Sequence, residues 1–251
     1  MIRNFLVLLM LTMPIFSQTI EEYILQGKEK IESARLQWNR KGMLEARAVF
    51  ERLLIKSDKD WLLNYYIAYC DYRLTNYAFG ENDKKAARKY VSDGIKKLKA
   101  CVNEKSDCAD AYALLSSFYG NKIALNPWSG FWNGPKSGKM IEKAFSLEPN
   151  NPRTHLISGI SSFYTPEKWG GGKERAKESL SKATELFYDE NVEAIMPDWG
   201  HSETYGWLGL VELAMGDTNK AIINYKKALE INPDNGWVKY RLLPQIIENN
   251  E

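Results

Sequence analysis

Apolar and small residues recur along the chain at spacings of three and four, which is the period of a helix with one buried face. The pattern appears in five segments, each preceded by another apolar segment of helical length. Its members are Ala46, Phe50 and Leu53; Ala87, Val91 and Gly94; Ser137, Ile141 and Ala144; Ala176, Leu180 and Ala183; and Ala221, Tyr225 and Ala228. The sequence therefore predicts an all-α protein built from pairs of helices.

The clearest pair lies in residues 202–235. Gly209 and Ala221 place small side chains where two antiparallel helices would cross, so that the backbones approach closely. Gly216 lies in a turn signal between the two helices, and Pro233 ends the second one. The segment is therefore predicted to be one complete helix–turn–helix unit.

This segment resembles the tetratricopeptide repeat (TPR) family at Tyr205, Leu208, Gly209, Gly216, Asp217, Ala221, Tyr225, Ala228 and Pro233. Weaker copies of the signature precede it. The resemblance implies a right-handed α-solenoid of about five TPR-like helix pairs with a concave face. The units are expected at about 20–57, 60–101, 109–149, 152–188 and 202–235, followed by a C-terminal helix at 236–248. A helical bundle without solenoid order is the structural alternative.

Residues 1–17 have the layout of a secretory signal peptide. Arg3 precedes an apolar run over residues 5–16, and polar Ser17 follows it. The run is too short to cross a membrane, which takes about 20 helical residues. We expect a periplasmic or secreted mature domain of residues 18–251 with no membrane span. An ordinary buried first helix is the alternative.

The charge balance and the cysteines change this picture little. Lys and Arg number 34 against 32 Asp and Glu, so the chain lacks the positive field needed for non-specific nucleic-acid binding. In an exported protein Cys101 and Cys108 could close a small disulfide loop, but buried thiols are an equal alternative. For Cys70 a buried thiol is favoured.

Three turns between paired helices are expected to be lengthened, by residues 73–84, 126–138 and 164–172. Parallel stacking of the units would bring all three to one edge of the solenoid. Aromatic residues are unusually dense there: Tyr77, Phe79, Trp128, Phe131, Trp132, Tyr164 and Trp169. Either these rings fold back as a hydrophobic lid over the helix ends, or they form an exposed binding surface.

The TPR register also places aromatic residues on the concave face, although many of the tyrosines would serve equally well as core residues. Together the two surfaces give the candidate ligand- or partner-binding residues: Tyr65, Tyr69, Tyr72, Arg73, Trp128, Phe131, Trp132, Phe163, Tyr164 and Trp169.

Two glycine- and lysine-containing segments, 134–140 and 170–174, are expected to lead into helices. Helix starts attract anions, but neither segment has the spacing of a phosphate-binding P-loop. Lys139 and Lys173 are therefore predicted only as weak anion contacts. The two histidines, His155 and His201, match no catalytic or metal-binding motif, so we expect no metal, no cofactor and no enzymatic activity.

The expected function is that of an exported TPR scaffold that binds a protein or peptide partner, or a small apolar ligand. A second possibility is an accessory periplasmic component of a TRAP-type solute-uptake transporter, whose helical subunits the chain also resembles. A closed aromatic pore lined by Tyr65, Tyr69, Phe163 and Tyr164 would favour that alternative.

Overall fold

The computed structural model describes residues 19–56 and 60–248; the expected signal peptide lies outside these ranges. The described chain contains helices and turns but no strand, which confirms the all-α prediction. The helices are α1 (Ile20–Leu36), α2 (Arg40–Leu54), α3 (Asp60–Gly80), α4 (Lys84–Glu104), α5 (Ala109–Leu125), α6 (Gly130–Leu147), α7 (Pro152–Tyr164), α8 (Lys173–Tyr188), α9 (His201–Ala214), α10 (Thr218–Ile231) and α11 (Leu243–Glu248). A π-helical turn, Val238–Leu242, leads into α11.

The first ten helices form five consecutive pairs, each packed as a helix hairpin. Successive pairs pack against each other through α2 and α3, α4 and α5, α5 and α7, and α8 and α9. A continuous hydrophobic core runs through the array from Ile24 to Val211, and a second cluster joins α10 to the C-terminal turn. This regular stacking confirms the solenoid-like arrangement of helix pairs.

Side-chain caps explain where several of these helices begin. Thr19 and Glu22 form a reciprocal capping box at the start of α1. Asn39, Asn151 and Asp217 each accept a backbone N–H bond at the starts of α2, α7 and α10. These caps lie at the turn positions of the repeat, so local sequence fixes the boundaries of the units.

Glycine permits the close helix crossings predicted for the repeat. A Cβ atom on Gly209 would lie 2.3 Å from Cε1 of Tyr225, and one on Gly27 would lie 2.4 Å from Cζ of Phe50. Both distances are far below van der Waals contact, so any larger residue would push the paired helices apart. The small residue and the ring opposite it therefore form one packing unit.

The first lengthened turn predicted from the sequence is wrong. Helix α3 continues to Gly80, and a short turn leads to α4 at Lys84. Tyr77 is buried and its hydroxyl donates a hydrogen bond to the carbonyl of Ala34 at 3.0 Å. Phe79 is half-buried in the same helix end. Unit two is thus extended by longer helices, because residues 73–80 find apolar partners in the first unit.

The other two expected insertions differ from each other. Most of residues 126–138 belongs to a 3₁₀ turn, Pro127–Ser129, and to the start of α6. Residues 165–172 do form a long turn, which contains the 3₁₀ turn Glu167–Trp169. Its tight geometry needs Gly170 and Gly172, whose φ angles are 81° and 107°.

All three cysteines are buried free thiols. A hydrogen bond to Cys108, together with burial, raises the pKa of the Cys101 thiol above its usual range. The structure therefore places the two thiols side by side without a disulfide. None of the described helices is both long and apolar enough to cross a bilayer.

Candidate functional site

The tyrosines that the repeat register places on the concave face are covered by the chain itself. They are packed against residues 189–200, which connect α8 to α9; this segment is exposed at residues 191–194, and Pro197 and Trp199 are buried. The Trp199 ring stacks on Tyr69 with ring centroids 4.7 Å apart, and its Nε1 donates to the Tyr65 hydroxyl at 2.9 Å. The Tyr66 hydroxyl donates to the Ile195 carbonyl at 2.7 Å. We call this segment the internal strap; Ile195 and Trp199 are its contacts with the tyrosines of α3.

Arg73 is enclosed by the same arrangement. Its guanidinium lies over the rings of Tyr69, Tyr72 and Trp199 at 4.9, 5.2 and 5.4 Å from their centroids. It also forms a two-point ion pair with Glu203 of α9, at 2.5 and 3.0 Å. Burial alone would raise the pKa of Glu203, but the nearby Arg73 charge brings it below its usual range. The pair is therefore ionised in the interior.

Four predicted binding residues thus lie inside the protein rather than on an open surface. Burial raises the pKa of the hydroxyl in each of the three tyrosines, in Tyr72 to about 12. Trp199 packs directly against Tyr69, and of these four residues only Tyr69 lines the cleft at the α1 junction described below. The residues concerned are Tyr65, Tyr69, Tyr72 and Arg73, each no more than 5% exposed.

The strap also joins the two ends of the array. Lys28 of α1 donates to the carbonyls of Ala194 and Met196 at 2.5 and 2.7 Å, and forms a 3.0 Å ion pair with Asp198. A cleft of about 270 Å³ remains at this junction, and Tyr66, Tyr69 and Trp199 line it together with charged side chains. Those charges already bind one another, as Lys28 binds Asp198 and Arg35 binds Glu32. We therefore assign the junction a structural role.

The aromatic residues of units three and four have the opposite environment. They are more than two-thirds exposed, which contradicts the interpretation of these rings as a lid over the helix ends. The exposed fractions are 79% for Trp128, 73% for Phe131, 68% for Trp132, 69% for Tyr164 and 70% for Trp169. We call these five residues the aromatic edge.

Local structure explains why these rings point outward. Trp128 lies in the 3₁₀ turn before α6, and Trp132 follows one helical turn later, on the side of α6 that faces away from the core. Phe131 meets Trp132 edge to face, with centroids 6.4 Å apart. The rings therefore contact one another, and solvent covers most of their surface.

The second group of rings lies at the next turn of the array. Tyr164 ends α7 and meets half-buried Phe163 edge to face at 5.2 Å. Trp169 lies in the following 3₁₀ turn, which Arg175 secures by donating to the Gly170 carbonyl at 2.8 Å. Because α5 packs on α7, the two groups follow one another along the same edge of the solenoid.

Neither lysine predicted to contact an anion lies at a free helix start. Lys139 is exposed but lies in the middle of α6, because that helix begins earlier, at Gly130. Lys173 does begin α8, but its Nζ donates to the carbonyl of Ala214 at 2.5 Å. Lys173 therefore links unit four to unit five.

The histidines occupy half-buried packing positions. Burial lowers the pKa of both, and each ring packs against an aromatic neighbour: His155 against Phe145, and His201 against Phe187. Across residues 19–56 and 60–248, no three His, Cys, Asp or Glu side chains are arranged to hold a metal ion.

Sequence reasoning missed the internal strap and Trp199. The available signal was the length of residues 189–200, which exceeds a normal turn between repeat units and contains a tryptophan. What the pattern could not supply is the partner of that ring, since Tyr65 and Tyr69 lie more than a hundred residues earlier in the chain.

Comparison with known proteins supports the repeat assignment. Residues 202–235 match the family model of the tetratricopeptide repeat. The fold is similar to that of the HusA haemophore from Porphyromonas gingivalis, with a TM-score of 0.68, 23% identity, and coverage of 78% of this chain and 94% of that one. It is also similar to a thermophilic TPR protein of Thermus thermophilus, with a TM-score of 0.65, 18% identity, and coverage of 91% and 100%. No curated protein matches the sequence.

Proposed function

We propose that this chain, which carries a tetratricopeptide repeat at residues 202–235 on a TPR-like fold, is an exported, non-catalytic binding protein that takes its ligand on the aromatic edge. The observation that carries the proposal is the exposure of five large rings at two successive turns. Exposed rings of this size cost free energy in water, which a ligand or partner covering them would recover. The internal strap leaves no comparable apolar surface on the concave side.

The favoured ligand is a flat apolar molecule, for which a haem-type tetrapyrrole is the specific candidate. Indole and phenol rings bind flat π-systems by stacking, and each such contact adds about 0.5–1.5 kcal/mol beyond area burial. The similar fold named as a haemophore makes haem the first ligand to test. Haem would be carried as cargo, so the expectation that the protein has no cofactor is unchanged.

A protein or peptide partner on the same surface is the second candidate. TPR folds are scaffolds for such partners, and Trp and Tyr dominate the binding energy of protein interfaces. The transporter-accessory alternative has less support, because the closed aromatic pore that would favour it is replaced by the packed strap.

Titration of residues 18–251 with haem, followed by haem absorbance and tryptophan fluorescence, tests the proposal. Trp128→Ala with Trp132→Ala should weaken haem binding at least about tenfold, since interface tryptophans each contribute about 2 kcal/mol or more. Tyr188→Ala with Tyr240→Ala is the matched control, because those rings are 84% and 69% exposed but lie outside the edge. Equal haem affinity in both double variants would refute the edge as the site.

If haem does not bind at all, a displayed peptide library selected on the same protein tests the second candidate. Peptides that lose affinity for the Trp128 and Trp132 double variant, and keep it for the tyrosine control, would identify the edge as a peptide site. Selected peptides that bind both variants equally would argue against it.

A further inference from the structure

A small pocket opens beside the aromatic edge. It has a volume of about 250 Å³ and lies where the first half of α4 meets the end of α5 and the start of α6. Val91 and Leu125 supply its apolar lining. Its polar lining comes from Arg88, Lys122, Asn126, Ser129 and Asn133.

The charges in this pocket have one sign. Arg88 and Lys122 both line it, and none of its lining residues is acidic. Arg88 is exposed and Lys122 is half-buried, and within residues 19–56 and 60–248 neither side chain forms an ion pair. A cleft lined by cations alone raises the local concentration of anions.

Asn133 adds an observation that is independent of charge. The residue is 9% exposed and lines the pocket. A side-chain amide carries two N–H donors, so Asn133 can donate to an acceptor bound there.

The pocket and the exposed tryptophans are adjacent along the same segment. Ser129 and Asn133 line the pocket one turn apart, and each directly follows a ring of the aromatic edge, Trp128 or Trp132. On a helix, neighbouring residues point about 100° apart, so the polar pair and the aromatic pair form adjoining faces. One ligand can therefore touch both.

We propose that this pocket binds the carboxylate of an amphipathic ligand whose flat apolar body lies on Trp128 and Trp132. Arg88 and Lys122 supply the charge, and the Asn133 amide donates a hydrogen bond to the carboxylate oxygen. This inference rests on the proposed function, because it assumes a ligand on the aromatic edge.

Two fluorescent probes separate the charge from the apolar body: 1-pyrenebutyrate, which is a carboxylate, and 1-pyrenebutanol, which is uncharged. The intact protein should bind the butyrate about tenfold or more tightly than the butanol, as expected for a carboxylate bound to charged donors. That preference should shrink as salt is added, because the cations are only partly buried.

Arg88→Gln with Lys122→Gln should abolish the preference for butyrate and leave butanol binding unchanged. Asn133→Ala should reduce the preference without removing a charge. The matched control is Arg52→Gln with Lys99→Gln, which removes the same charges from exposed positions on α2 and α4 that have no ion-pair partner in the described chain.

The outcomes separate this inference from the proposed function. Equal binding of the two probes, or a preference that survives in the Arg88 and Lys122 variant, overturns the carboxylate site and leaves the aromatic edge standing. Loss of the preference in the control variant as well shows a general charge effect and also overturns it. If neither probe binds, the amphipathic ligand class is wrong, and the haem and peptide titrations decide the aromatic edge on their own.

Discussion

Replacing Trp199 with alanine should destabilise the protein more than any change on the aromatic edge. Trp199 is 8% exposed, stacks on Tyr69, lies under the Arg73 guanidinium and donates to the Tyr65 hydroxyl. Removing a buried tryptophan side chain costs about 3–5 kcal/mol through lost burial and the cavity that remains. The orphaned Tyr65 hydroxyl adds about 1 kcal/mol or more.

We therefore expect Trp199→Ala to lower the free energy of unfolding by about 4 kcal/mol or more, a large part of the roughly 5–15 kcal/mol typical of a domain. Urea unfolding followed by far-ultraviolet circular dichroism measures the change. Trp199→Phe keeps most of the stacking and loses the N–H donor, so it should cost about 1–2 kcal/mol.

Trp169→Ala is the control, because that ring is 70% exposed and its loss should change stability by less than about 0.5 kcal/mol. Protease sensitivity within residues 189–200 should rise in Trp199→Ala and stay unchanged in Trp169→Ala. A loss of less than about 1 kcal/mol in Trp199→Ala would refute the strap as an integral part of the core.

Three further results are expected. Gly209→Ala should lower the free energy of unfolding by about 1–3 kcal/mol, because its Cβ would overlap the Tyr225 ring. Gly120→Ala on α5 is the control and should stabilise the protein slightly, because its Cβ meets no atom within 4 Å. A similar loss of stability in both variants would contradict the packing argument. Glu203→Gln should lower the free energy of unfolding, measured with urea at neutral pH, by about 3–5 kcal/mol, because it leaves Arg73 charged and buried without its partner. A loss below about 1 kcal/mol would show that the pair is not enclosed. Because the folded-state pKa of Glu203 lies below its ordinary value of 4.5, the ion pair stabilises the protein above that pH and is lost as the pH falls through the lower, folded value. The difference in unfolding free energy between the intact protein and Glu203→Gln should therefore become smaller in acid. Urea unfolding curves measured from pH 7 to pH 3 test this, and a difference that stays constant over that range would contradict it.

The helix pairs were predictable because their signals are local. Caps such as Asn151 and Asp217, turn glycines such as Gly216, and small residues such as Gly209 act within one unit, so a single sequence contains all the partners they need. The same reasoning was wrong for residues 73–80, where polar and glycine-containing sequence suggested a turn. Contacts with the first unit, including the one from Tyr77 to Ala34, extend α3 through that segment.

The aromatic edge was half predictable. Position in the repeat brought Trp128, Phe131, Trp132, Tyr164 and Trp169 to one side, but the choice between a lid and an exposed surface depends on whether the helix ends leave room for the rings. The structure leaves them in solvent. The pocket lined by Arg88 and Lys122 was not predicted, because these residues belong to different units and become neighbours only when the units stack.

The sequence by itself determined the repeating helix pairs, their order and most of their boundaries, since these follow from helical periodicity, capping and close crossings within one unit. Only the tertiary structure decided what fills the concave side. The relative rotation of successive units sets that space, and it brings Lys28 of α1 to the strap before α9 and Trp199 onto the tyrosines of α3. Small rotations summed over five pairs cannot be read from the sequence of any one unit. The concave-face residues that the register predicted as a binding site, such as Tyr65 and Tyr69, are therefore part of the core. The exposed aromatic edge is the binding surface that we propose.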